Sequence, residues 1–126
     1  MTQPDVRKYS VAAASTDTFG RVLARARNHH FVVDGPVQNG CPGEAVTPSE
    51  LFLSGVACCG VELVQVLAKS RDIPLSAIAV DIHATMDRSR PVRPGVSLFN
   101  SVHLSFRMQG ITEEQGRLLV EAFKGK

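Results

Sequence analysis

Two adjacent cysteines, Cys58 and Cys59, are the residues of this chain whose type and position best suit chemistry. They lie in its longest apolar stretch, residues 51–68, which predicts a helix. A helix turns about 100° per residue, so the two thiols point in different directions. An ionised thiol is a nucleophile that can be oxidised, whereas a buried thiol only fills a core. The pair therefore allows two interpretations, redox chemistry or packing.

Composition and charge exclude several other functions. The net charge is +2, and with no Trp and one Tyr an aromatic platform for nucleic acid is not expected. Three cysteines, an odd count, predict free thiols rather than structural disulfides. The four histidines form no metal-ligand spacing, so no metal site is predicted. Arg88, Arg90 and Arg93 predict a solvated hairpin tip, or a guide for an anionic reductant or substrate.

The location follows from two segments. Residues 1–11 have no apolar core of signal-peptide length. Glu62, Gln65 and Lys69 interrupt the central apolar run, which we therefore expect to be too short and too polar to span a bilayer. The prediction is a soluble, cytoplasmic protein of one domain, residues 1–126.

Secondary structure must position the thiols. Residues 6–15, 19–27 and 30–34 predict a three-stranded meander, and residues 35–43 a loop. Thr47-Pro48-Ser49-Glu50 is a capping box that starts a helix running to about Ser70. This helix is apolar on nearly all sides over residues 51–61, which predicts that it is buried.

The second half predicts a hairpin and a final helix. Apolar residues alternate with polar ones over residues 78–86 and 96–108, the latter including Val96 and Leu98. A second capping box at Thr112 opens a helix with Leu118, Leu119, Ala122 and Phe123 on one stripe. The fold class is therefore α+β, with antiparallel sheets packed on a long buried central helix. Burying that helix in so small a chain predicts a homodimer.

A known family shares several of these segments. They are Asp34-Gly35-Pro36, a glycine-rich loop, Thr47-Pro48-Ser49-Glu50-Leu51-Phe52-Leu53 and Ala57-Cys58-Cys59. They resemble the OsmC/Ohr family, the osmotically inducible protein C and organic hydroperoxide resistance proteins. The family carries a cysteine eleven positions after a proline, as Cys59 follows Pro48 here.

The resemblance implies an intertwined homodimer that reduces organic hydroperoxides with an external thiol and no cofactor. It implies that Cys59 is the peroxidatic nucleophile and that an arginine from the N-terminal strands stabilises its thiolate. Arg21, Arg25 and Arg27 are the candidates, and Arg21 fits best because it follows Gly20. The family pairs this arginine with a carboxylate, so Glu50 could orient it besides capping the helix.

Two departures from the family bear on the reaction. The family's resolving cysteine and last strand usually follow the final helix, whereas this chain ends at Lys126. Ser49 stands where hydroperoxide-resistance members carry an acidic residue. Cys41, in the loop, is a substitute resolver only if that loop folds back, and Cys58 is better explained as core packing.

Two other functions stay open on the sequence alone. In one, the fold is a binding protein whose dimer cleft takes a small apolar molecule, and Cys59 only packs. In the other, Cys59 is a redox sensor that oxidises slowly and changes a partner interaction.

Overall fold

The computed structural model describes residues 5–95 and 99–125 and has an α+β architecture with two antiparallel sheets and a central helix. In chain order the elements are β1 (Val11–Ser15), β2 (Arg21–Ala26), β3 (His29–Asp34), a short 3₁₀ helix (Val37–Asn39), α1 (Pro48–Ser70), β4 (Ala77–Thr85), β5 (Ser101–Gln109) and α2 (Glu113–Lys124). The chain divides into two compact units, one up to Leu51 and the other from Phe52. A single domain over residues 1–126 stays a prediction.

The first unit holds the predicted three-stranded meander, in the order β1-β2-β3. The first strand begins at Val11, five residues later than the alternation suggested. The β2–β3 register places Arg21 opposite Asp34 and Arg25 opposite His30. Arg27 does not continue the face that Arg21 and Arg25 share along β2, because it lies in the turn after the strand.

The start and end of α1 are as the sequence predicts. Glu50 accepts hydrogen bonds from the backbone N–H and the hydroxyl of Thr47, each at 2.9 Å, and its own N–H donates to Thr47 Oγ1 at 3.3 Å. The capping box therefore forms and fixes the first turn. The helix ends at Ser70, just before Asp72 adopts a left-handed backbone with φ of 53°.

Within the single chain, α1 is buried along one stripe only. Only Gly60, Val64 and Ala68 are buried in the single chain, and most of residues 51–61 are exposed or half-buried. The hairpin and α2 reach only part of this all-round apolar helix, so burial of residues 51–61 between two copies of the chain stays a prediction. By length and composition alone, its 23 residues are also long and apolar enough to cross a membrane, so the expectation that they are too short and too polar for that is not confirmed. Core helices of soluble proteins meet the same criterion.

The second unit contains the predicted hairpin of β4 and β5. Ile78 pairs with Met108, Val80 with Phe106 and Ile82 with Leu104, and all six are half-buried, while the intervening residues are exposed. The predicted one-sided pattern is therefore confirmed for these three pairs, whereas Val102, near the start of β5, is exposed. Val96 and Leu98 lie outside the described residues. Arg88, Arg90 and Arg93, between the strands, are exposed.

The core of the second unit forms where α2 and the hairpin pack on α1. Val64, Ala68 and Leu119 are buried together, and Phe106 and Phe123 meet edge to face beside them, with ring centroids 5.5 Å apart. The second capping box is present, since Thr112 accepts from the Gln115 N–H and donates its own N–H to the Gln115 side chain. The predicted stripe on α2 is right except at Leu118, which is exposed.

Candidate active site

Arg21 and Asp34 form a bidentate ion pair at the heart of the first unit. Arg21 Nε donates to one Asp34 carboxylate oxygen at 2.8 Å and Nη2 donates to the other at 2.9 Å. The pair is possible because the antiparallel register places the first residue of β2 opposite the last residue of β3. Parallel N–H···O bonds of this kind fix the plane of the guanidinium.

Asp34 is completely buried, and its carboxylate accepts four hydrogen bonds. Besides Arg21, its carboxylate accepts the backbone N–H groups of Glu44 at 3.0 Å and Ala45 at 2.9 Å. Hydrogen bonds from the Arg21 side chain, then from the Ala45 backbone, hold the pKa of Asp34 well below its usual range. The same bond to Asp34, and then one to Glu44, raises the pKa of Arg21 above its ordinary value.

Arg21 has a second carboxylate partner and one nitrogen left over. Nη2 also donates to Glu44 Oε1 at 2.8 Å, and the Glu44 side chain is mostly exposed. Within the described residues, Arg21 Nη1 makes no hydrogen bond to another side chain or to the backbone. The guanidinium is thus clamped through Nε and Nη2, while Nη1 is available to a further acceptor.

The loop beside this pair packs Cys41 against two glycines. Gly20 precedes Arg21 and Gly35 follows Asp34, and the Gly35 N–H donates to the Gly20 carbonyl at 2.8 Å. A Cβ atom at either glycine would overlap the Cys41 side chain, and Gly20 has a φ of 79° that favours glycine. Cys41 therefore supports the backbone on both sides of the ion pair, a structural role that the sequence did not suggest.

Glu50 is engaged in its capping box rather than with an arginine. Its hydrogen bonds from Thr47, the backbone N–H first and the hydroxyl second, lower its pKa. In the part of the chain that the structure describes, the carboxylates on Arg21 are Asp34 and Glu44. Glu50 therefore caps the helix, and among the described residues it makes no contact through which it could orient Arg21.

Cys58 and Cys59 occupy neighbouring positions on α1 and are both exposed in the single chain. Neither thiol fills a core that this chain forms alone, and packing of Cys58 between two copies stays a prediction. The next residue, Gly60, is buried, with Phe106 and Phe123 next to it. Helical rotation thus presents the two thiols on exposed surface while Gly60 faces the core of the second unit.

Two further features bear on ligands. In residues 5–95 and 99–125, no three His, Cys, Asp or Glu side chains come close enough together to hold a metal ion. A groove of about 580 Å³ lies between β5 and α2, with Leu104, Met108 and Val120 among its apolar walls.

Asp34 and Glu44 were missed as site residues by sequence reasoning. Asp34 entered only as part of a family motif, although a carboxylate that ends an apolar strand, Phe31-Val32-Val33-Asp34, predicts a paired charge. Glu44 carries no comparable signal, because its contact with Arg21 depends on how the loop folds.

Comparison with known proteins places the chain in a family. The family model described as OsmC-like protein matches residues 41–125, which include Cys41, Cys59 and Glu50. A search of curated proteins found no match.

Solved structures share the fold at low sequence identity. An OsmC-like protein from Mycoplasma pneumoniae is 15% identical, with 91% of this chain and 79% of that chain covered and a TM-score of 0.75. An organic hydroperoxide resistance protein from Elizabethkingia anophelis is 19% identical, with coverage of 94% and 82% and a TM-score of 0.75. The organic hydroperoxide resistance protein OhrB of Bacillus subtilis is 22% identical, with coverage of 92% and 82% and a TM-score of 0.61.

Proposed function

The chain belongs to the family of OsmC-like proteins, and from this membership we propose that it is a thiol peroxidase that reduces organic hydroperoxides through Cys59. The observation that carries the proposal is Cys59 itself, a thiol on α1 that is exposed in the single chain and lies inside the matched region. Solved structures of organic hydroperoxide resistance proteins with the same fold support the substrate class.

The chemistry needs no metal or cofactor. The Cys59 thiolate attacks the terminal oxygen of the hydroperoxide, so that an S–O bond forms and the O–O bond breaks. The leaving alkoxide takes a proton and departs as an alcohol, and Cys59 becomes a sulfenic acid. An external thiol then displaces water to form a mixed disulfide, and a second thiol releases reduced Cys59.

Arg21 is the proposed positioning group for this reaction. A cation beside a thiol favours its thiolate, and a guanidinium N–H can also donate to a peroxide oxygen. Because Asp34 fixes Nε and Nη2, the remaining Nη1 is the nitrogen we assign to the thiolate and the substrate. Glu50 is the helix cap in this scheme, and an additional effect of its charge on Arg21 remains part of the proposal.

The proposal extends to assembly and location. We propose a homodimer, a single domain and a cytoplasmic location, with α1 in the core of the dimer rather than in a membrane. The exposed apolar residues of α1 support this assembly, since Phe52 and Val66 are 62% and 53% exposed.

The decisive experiment measures consumption of cumene hydroperoxide with dithiothreitol as reductant. We expect Cys59→Ser to lower the rate by at least about 100-fold, because the nucleophile is removed. Cys58→Ser, a matched change on the neighbouring residue, should retain most of the activity. Equal rates for wild type and Cys59→Ser would reject the proposal.

A second candidate function rests on the groove between β5 and α2. Its apolar walls and volume suit a small apolar molecule. In that case Cys59 would be dispensable, and a fluorescent apolar probe would bind equally to wild type and Cys59→Ser. Trapping of a Cys59 sulfenic acid by dimedone without peroxide turnover would instead favour a redox sensor.

A further inference from the structure

A basic groove lies in the first unit, along β1 and the β2–β3 turn. Its volume is about 450 Å³, and Lys8, Ser10, Arg25, Arg27 and Asn28 contribute to its walls. All three cationic side chains are exposed. The proposed peroxidase function uses none of these residues.

The strand register brings the groove's cations together. Ala12 pairs with Arg25, and Val11 pairs with Ala26, so side chains of even number on the first strand lie beside those of odd number on the second. On its other side Arg25 is opposite His30 of β3. The sheet thus has a basic end around Arg25, while the carboxylates of Asp34 and Glu44 lie at the opposite end, around Arg21.

These positive charges have no carboxylate partner within the described part of the first unit. Ion pairs there involve Arg7, with Asp5, and Arg21, with Asp34 and Glu44. Lys8, Arg25 and Arg27 belong to none of them. Like charges repel one another, so three cations around one groove are best satisfied by an anion that enters it.

The backbone at Arg27 provides a second, independent observation. Arg27 is the first residue of the two-residue turn between β2 and β3, and its φ is 54°. Turns of this geometry favour glycine or asparagine at that position. An arginine there is unfavourable for the turn itself, and its side chain is directed to the groove that Lys8 and Arg25 also line.

We propose that this groove is a binding site for a small multivalent oxyanion of the phosphate class. Guanidinium groups bind phosphate oxygens through paired N–H donors, and Ser10 and Asn28 add neutral donors. None of the residues that line the groove is aromatic, so stacking of a nucleic-acid base is not provided for. The walls also have too little apolar surface for an acyl chain, because Val11 and Ala12 are their apolar members.

The test is calorimetric titration of the full chain with inorganic pyrophosphate at two salt concentrations. Arg27→Gly removes a cation and puts a residue that the turn geometry favours at this position. Arg25→Gln removes a second cation with little change in shape. We expect each to weaken binding by about tenfold or more, the usual effect of losing a charged hydrogen bond. Arg25→Gln should keep the wild-type unfolding temperature, Arg27→Gly should keep or raise it, and both should keep hydroperoxide turnover.

Arg88→Gln is the matched control, because it removes one exposed positive charge from a different part of the chain. It should change pyrophosphate affinity by less than about twofold, as loss of a solvent-screened charge that does not line the groove does. No binding by the wild-type chain, or equal weakening by Arg88→Gln, would overturn the proposal. Tighter binding of a single-stranded oligonucleotide or of anionic phospholipid vesicles would also overturn it.

Discussion

Asp34 joins three stretches of the chain through a single buried carboxylate. It binds Arg21 on β2, and it accepts the N–H groups of Glu44 and Ala45 in the loop before α1. A buried charge is expensive unless it is paired and hydrogen-bonded, and the Asp34 carboxylate accepts four hydrogen bonds, two of them from Arg21. Removal of this charge should therefore disturb the first unit more than removal of the exposed Glu44 carboxylate.

We expect Asp34→Asn to lower the thermal unfolding midpoint by about 10 °C, because an amide cannot replace a bidentate carboxylate under Arg21. The effect should depend on pH. The depressed pKa of Asp34 stabilises the folded state fully above the unfolded pKa of about 4, and this contribution is lost as the pH falls below it. Melting curves from neutral to acidic pH should thus converge for wild type and variant.

Glu44→Gln is the control for that measurement. The Glu44 side chain is 78% exposed and binds the same arginine. The substitution removes this exposed ion pair, which contributes little to the free energy of unfolding. We expect a shift of the midpoint no larger than about 2 °C. A pH-independent difference between wild type and Asp34→Asn would contradict the assigned role of the carboxylate.

At the residue level, the sequence singled out Arg21, whose role stays a prediction, but not the carboxylates that bind it. The arginine could be proposed because a glycine precedes it and a family pattern includes it. Its carboxylates lie 13 and 23 residues away, and the contacts depend on strand register and loop path. Neither quantity follows from local composition, so Glu50, the nearest acidic residue of the motif, was the carboxylate that sequence reasoning considered.

Among the elements, α1 carries both the candidate nucleophile and the clearest local signal. Its first turn depends on the reciprocal bonds between Thr47 and Glu50. We expect Thr47→Ala to lower the free energy of unfolding by about 1 kcal/mol, measured by urea denaturation. Glu50→Gln should keep stability close to wild type, because glutamine also completes a capping box.

The same pair of variants separates the two duties proposed for Glu50. If Glu50 only caps the helix, Glu50→Gln should reduce cumene hydroperoxide in proportion to its folded fraction. Loss of turnover at full stability would reveal a requirement for the charge, and therefore an effect on Arg21. Unchanged stability of Thr47→Ala would show that the cap contributes nothing to the helix.

Sequence reasoning located elements well where the signal is local. Both capping boxes and the alternation of β4 were read correctly, because caps and pleats act over a few residues. Prediction was less accurate where packing against neighbouring elements determines the structure, as at the start of β1 and in the exposure of Leu118. Arg27 was placed on a strand because period-2 spacing does not reveal where a hairpin turns.

For the whole molecule, the open question is what covers α1. Large apolar side chains of the helix are exposed in the single chain, and a sequence pattern alone cannot say whether a sheet, a second copy or lipid covers such a surface. Within the single chain, burial is observed around Val64 and Ala68, where the hairpin and α2 reach the helix. The remainder is the surface that we assign to a second copy.

This assignment predicts that the protein is a dimer with an association sensitive to one residue of α1. Val66 is 53% exposed on that helix, and Val92, in the loop between β4 and β5, is 56% exposed. A glutamate buried in an apolar interface would lack a partner, so Val66→Glu should raise the dimer dissociation constant by about 30-fold or more. Val92→Glu adds the same charge at a residue of similar exposure outside α1, and it should leave the dimer intact.

Sedimentation equilibrium over a range of concentrations measures both variants against wild type. Hydroperoxide turnover measured alongside would show whether Val66→Glu also disturbs the surroundings of Cys59 on the same helix. A wild-type chain that is monomeric at every concentration would refute the dimer. Recovery of the chain with lipid vesicles rather than in solution would instead assign α1 to a membrane, because the helix has the length and composition to cross one.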